Sequence, residues 1–287
     1  MGLNLLTEVE EKKSTLRVII HSFFVVPFLI AAFAVLVYGL TRLITYDGRD
    51  VYDLLTQIRT GSQSQRWQSA VDLSKFLQNP DLIPSGDRFI SEMNLAYREA
   101  KHDDPRVRQY LTLAMGKTDR KEFVPILLKD LPTSFGDNQL TLIHALGLLR
   151  DERATGPLIE LADAPNARTR LEVIISLGNI SSNKAVPIME KALHDNEPNV
   201  RWDAAIGLAK MGNNSGSDLL LNLMSRDYLK RYDEVDLEER TETILIAIQA
   251  ASYLNDVRLY NKIRELSQND PVLKVRDEAQ KALDLLL

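Results

Sequence analysis

Two patterns divide the chain. From Val18 to Leu40 the run VIIHSFFVVPFLIAAFAVLVYGL contains no Asp, Glu, Lys or Arg, so no charged face exists on any helix drawn through it. From residue 51 onward the apolar positions recur every three or four residues, the spacing of one helix face, and alternating runs of the kind that make strands are scarce. The expectation is an all-α chain with an apolar N-terminal helix and a much longer helical domain.

At 1.5 Å per residue the 23 uncharged residues extend to about 35 Å, enough to cross a hydrocarbon core of about 30 Å. The pattern predicts a tail at 1–17, a transmembrane helix at 18–43 kinked at Pro27, and a linker at 44–50. His21 would reach one interface, with Tyr38 and Arg42 anchoring the other. The run is too long for the apolar core of a cleavable signal peptide, which is about 7–15 residues. Lys12, Lys13 and Arg17 on one flank against Arg42 and Arg49 on the other lean weakly toward an exported domain. The expected place is a single-pass position in the cell (inner) membrane, with the domain's side open.

The remainder repeats. LAMG ends at Gly116, HALG at Gly147, ISLG at Gly178 and IGLA at Ala209, each 31 residues after the last. Eight residues before these marks stand Arg108, Gln139, Arg170 and Arg201. QRWQSAVDLSKFL (65–77) and DPVLKVRDEAQKAL (270–283) continue the theme at either end. Each unit reads as two helices. Pro105, Pro198 and Pro271 suit a first helical position, Asp104 and Asp270 are placed to cap, and a small residue at the mark lets helices approach closely. One such hairpin cannot bury its apolar face alone, whereas stacked neighbours share a core.

These residues resemble HEAT repeats, specifically the short bacterial type also found in phycobilin lyases. The resemblance covers 51–287 and implies an α-solenoid of about seven HEAT-like helical hairpins whose usual work is binding other proteins. It departs at Gln139, which replaces the usual Arg, and at an insertion over 225–238 that lengthens one period to 43. It also prompts a bilin-lyase reading, although the shared residues are those of the solenoid and none belongs to an active site.

Composition removes most chemistry. With no cysteine there is no disulfide, thiolate nucleophile or Cys-ligated metal. The net charge of −5 speaks against a phosphate-binding face, and so against nucleic acid. Gly116-Lys117-Thr118 imitates the end of a P-loop, but Leu111 stands where its first glycine is required. The four histidines lack metal-ligand spacing, and Asp103-Asp104 reads as a helix cap. The expectation is a non-enzyme without cofactor, metal or small-molecule substrate.

Two surfaces could hold a protein partner. Positions one and five after each repeat mark Arg (Gln139 in one unit) give Trp67/Val71, Gln109/Leu113, Leu140/His144, Leu171/Ile175 and Trp202/Ile206, pairs four apart on one face of each second helix. This stripe either lines a groove or packs inside the solenoid. Buried apolar stripes are the commoner case, while two tryptophans at equivalent places suit an interface anchor. The insertion, with Tyr228 and Tyr232, is either a solvated excursion or a second contact. The leucines at 285–287 either cover the last core or dock on something else. The expected function is a membrane-anchored adaptor or scaffold, a subunit or regulator of a membrane complex such as a transporter. The alternatives are an assembly or quality-control factor for membrane proteins and, last, the lyase.

Overall fold

The computed structural model describes residues 25–45, 50–233 and 235–285, with side chains of the first segment to residue 41. The chain divides into two units, 1–50 and 51–287.

In the first unit the structure describes α1 (Val26–Thr45), with Pro27 near the beginning of the described stretch. Phe28, Ile30, Phe33, Val35 and Tyr38 are exposed around it. Among the described residues no helix is long and apolar enough to cross a membrane. The expected span at 18–43 begins outside those residues, as do His21, the 1–17 tail and most of the linker.

The second unit is an all-helical solenoid. Its helices are α2 (Val51–Thr60), α3 (Gln63–Phe76), α4 (Asp87–Glu99), α5 (Pro105–Gly116), α6 (Val124–Asp130), α7 (Gly136–Leu149), α8 (Thr155–Glu160), α9 (Ala167–Ile180), α10 (Val186–Ala192), α11 (Pro198–Lys210), α12 (Ser217–Leu223), α13 (Arg226–Leu229), α14 (Leu237–Ala251), α15 (Val257–Asn269) and α16 (Leu273–Leu285). The second helices α3, α5, α7, α9, α11, α14 and α16 pack in sequence, each on the next. The first helices form the other layer. Four of them, α6, α8, α10 and α12, are only six or seven residues long and are entered through a 3₁₀ turn.

The repeat marks act as spacers. A Cβ on Gly116 would stand 2.8 Å from Ala145 Cα, and one on Gly147 would stand 2.8 Å from Ser176 Cα. Gly178 faces Gly207 across the next pair, where an added Cβ would lie 3.2 Å from the opposing Cα. Only hydrogen at these positions lets consecutive second helices come this close. Two apolar clusters fill the interior and meet at α11, which gives Val200, Ala204 and Leu208 to one and Trp202, Ala205 and Ala209 to the other.

Asp104 caps α5 as expected, its carboxylate accepting from the Arg106 N–H at 3.0 Å with Pro105 at the first position. At the C-terminal end Asp270 likewise accepts the Val272 N–H at 2.9 Å while Arg226 grips both its oxygens at 2.9 and 2.7 Å, and the regular turns of α16 start at Leu273, two residues beyond Pro271. Leu283 is buried and Leu285 is exposed, and the expected leucines at 286–287 lie outside the described residues.

Candidate protein-binding face

The stripe on the second helices is neither core nor free surface. Trp67, Val71, Gln109, Leu113, Leu140, His144, Leu171, Ile175 and Ile206 are all half-buried, and only Trp202, at 8% exposure, belongs to the core. The i, i+4 pairing places both members of each pair on one helix face, and the stacking of α3, α5, α7, α9 and α11 sets the pairs side by side. Each helix buries its more apolar positions inward, as Val173, Ile174 and Leu177 do on α9, and leaves Leu171 and Ile175 at the rim.

The repeat arginines have a different task. Arg66 pairs with Asp103 at 3.1 Å, Arg108 with Asp130, and Arg170 with both oxygens of Asp195 at 2.7 and 2.8 Å. Each thus reaches the loop of the following unit. Arg170, Arg201 and Arg276 also donate to carbonyls just before their own helices, those of Ala164, Asp195 and Asp270. The Arg170 guanidinium holds the Asp195 carboxyl below its ordinary value. This ladder locks loops to helices, and the cavities beside Arg108–Asp130 and Arg170–Asp195 are its surroundings.

The insertion does not project. Leu229 is fully buried, Tyr228 and Tyr232 are half-buried against the second core, and their hydroxyls lie 3.0 Å apart. The Tyr232 ring meets Trp202 edge-on, with centroids 4.9 Å apart and planes at 87°. The segment is therefore not a wholly solvated excursion: Tyr228, Leu229, Tyr232 and Val235 supply an apolar face that the surrounding charges conceal. The two candidate surfaces become one, because the insertion packs onto the stripe at Trp202. Among the described residues the indole N–H of Trp202 finds no acceptor, a cost of about 1–3 kcal/mol for a buried donor. Trp67, at the other end, stacks under the Arg106 guanidinium at 4.6 Å.

Charged groups missed at the level of sequence share this face. His144 Nδ1 lies 2.8 Å from Glu172 Oε1, and that carboxylate raises the imidazole above its ordinary value against the opposing effects of burial and Lys117. Asp203, one helix on, is pushed up to about 6 by burial, with Glu172 adding to the rise and Lys210 opposing it. Glu172 and Asp203 occupy the position after Leu171 and Trp202, so continuing the stripe by one residue would have found them.

A protein-family model for HEAT repeats matches residues 156–232. The structure is similar to that of the complex of CpcE and CpcF of phycocyanin lyase from Nostoc sp. PCC7120, with TM-score 0.55 and 17% identity over 83% of this chain and 95% of that one. It is also similar to the archaeal HEAT-like repeats protein from Thermococcus onnurineus NA1, with TM-score 0.45 and 16% identity over 83% and 97% of the two chains. No curated protein matches the sequence. The fold is a HEAT-like solenoid. At these identities the likeness shows the fold alone.

Proposed function

We propose that this chain is a membrane-attached adaptor that binds other proteins through the half-exposed stripe of its second helices. The observation that carries the reading is the half-exposed apolar stripe of Leu113 on α5, Leu140 on α7, Leu171 and Ile175 on α9 and Ile206 on α11, interrupted by the polar Gln109 and His144, on helices that stack one on the next. Stacked helices stand about 8–10 Å apart, and an extended chain rises about 3.3 Å per residue. A segment lying across the stripe would meet a new row about every third residue. Attachment is supported by the 23-residue uncharged run and by the exposed apolar side chains all round α1. Anchoring confines partners near the domain and lets modest contacts suffice.

The adaptor does no covalent chemistry in this reading, and its place is the cell membrane. The test is affinity purification of the full chain in mild detergent, beside a Leu171→Asp/Ile175→Asp variant. A stoichiometric partner lost in the variant supports the adaptor. Varied, transient clients favour an assembly factor, and a partner retained by the variant refutes the stripe. Alkaline extraction of membranes tests attachment, because a chain released to the supernatant is not anchored.

A further inference from the structure

A cavity of about 430 Å³ opens where the insertion meets the stripe. Trp202, Tyr232, Val235 and Ile246 supply apolar walls, and Glu197, Glu239 and Glu242 bring carboxylates to the same space. No Lys or Arg is among the residues lining it. Two cations stand near. Lys274 donates to Glu242 at 2.5 Å, leaving that carboxylate partly compensated, and Arg201 is turned to the Asp195 and Asn196 carbonyls at 2.6 and 3.0 Å. Glu239 accepts the Asp236 N–H at 3.0 Å with one oxygen, which fixes the carboxylate as part of the cap of α14. Three carboxylates against the paired Lys274 and Arg201, which is engaged by backbone carbonyls and also reaches the Tyr232 hydroxyl, leave the cavity a negative balance, and two aromatic rings held at right angles offer electron-rich surfaces beside it.

We infer that this cavity is a recognition site for an arginine side chain of the protein partner. The inference rests on the stripe being the binding face, of which Trp202 and Ile206 are the last pair. A guanidinium is planar, stacks on aromatic rings and forks onto carboxylates, so it meets both chemistries present here, whereas an ammonium meets them as a point charge. The aromatic walls exclude water from part of the guanidinium while Glu197, just before α11, and Glu242 of α14 line the same cavity. An acidic side chain would meet three like charges and be rejected.

The chain has two tryptophans, so Trp67→Phe leaves Trp202 as the only indole reporter. In that background the full chain in mild detergent is titrated with an alanine nonapeptide carrying leucine at every third position and an arginine at each end. The expected result is a saturable change in Trp202 emission, weakened at least about tenfold by a peptide with citrulline in place of arginine or by Glu197→Lys/Glu242→Lys, each of which removes charge-assisted contacts. Equal affinity for the citrulline peptide, or binding unaffected by the charge reversals, overturns the inference, as does the absence of any emission change. Far-UV circular dichroism verifies that each variant is folded. Partner capture separates the two readings. A partner kept by Glu197→Lys/Glu242→Lys but lost with Leu171→Asp/Ile175→Asp refutes the arginine site and leaves the adaptor standing, while a partner kept by both refutes the adaptor itself.

Discussion

Tyr232, from the one segment that breaks the 31-residue period, stands edge-on to Trp202 of a regular repeat helix at 4.9 Å. The irregular segment therefore completes the core of the regular one. Its other attachments agree: Leu229 is fully buried and Arg226 donates from Nε and Nη2 to the two carboxylate oxygens of Asp270.

Tyr232→Ala is expected to destabilise the domain by about 1–3 kcal/mol, combining a lost edge-to-face contact of about 0.5–1.5 kcal/mol with lost burial. Removal of 226–237 should cost more, because it also strips Leu229 from the core. Urea unfolding followed by far-UV circular dichroism reads both. A deletion as stable as the parent would show that the segment is an ornament.

The spacing at the marks makes a sharper case. Gly147→Ala would set a methyl 2.7 Å from Ser176 Cβ and 2.8 Å from its Cα, positions that a side-chain rotation cannot clear. The expected loss is about 1–3 kcal/mol, the usual range for overpacking. Gly156 has nothing within 4 Å of the same added atom. Gly156→Ala should be neutral or should stabilise by about 0.4–1 kcal/mol. Two glycines on consecutive helices with opposite outcomes would locate the spacer; equal losses would reject it.

The period was legible because it is imposed by packing: Gly116, Gly147 and Gly178 recur where consecutive second helices touch, and such contacts demand small residues at fixed intervals. The fold followed from that alone. The candidate face was only half legible. Trp67, Leu113 and Ile175 fell on a common face by helical geometry, yet periodicity cannot tell a rim position from a core one, and these residues are both. Tyr228 and Tyr232 were singled out for the wrong reason, since a charged segment hides a four-residue apolar face. Glu172 and Asp203 were passed over because a mixed-charge helix surface is normally solvated, and only the stacking of α7, α9 and α11 brings His144, Glu172 and Asp203 near one another.

The ladder yields a pH-dependent prediction on the acid side. Arg170 lowers the Asp195 value in the folded state, so the stability it contributes is full above the unfolded carboxylate value and is lost as pH falls through the folded one. Both side chains are mostly buried, at 17% and 13% exposure. Arg170→Ala should therefore cost about 2–4 kcal/mol near neutrality, short of the full penalty for breaking a buried pair. Thermal unfolding between pH 2 and 7 checks this. The two proteins should converge toward the acid end, and a constant difference would mean that packing of the arginine stem carries the effect.

Asp203 predicts the opposite slope. Its folded value, about 6, lies above the ordinary 3.8, because burial and Glu172 disfavour the charge more than Lys210 restores it. Between those values the folded chain keeps a proton that the unfolded chain has released, so stability falls as pH rises and the deficit is complete above about 6. His144 adds in the same direction: Glu172 raises it, so its contribution is full below the unfolded imidazole value and disappears as pH climbs through the folded one. A full shift of this size converts to about 3 kcal/mol, and the half-buried carboxylate retains some water, so about 1–2 kcal/mol is expected. Asp203→Asn should accordingly be more stable than the parent by about 1–2 kcal/mol at pH 7.5 and indistinguishable from it below about pH 3. The same substitution removes a charge from the face that holds Trp202 and Leu171. A variant no more stable at pH 7.5 would show Asp203 ionised at no cost, its charge met by solvent or by Lys210.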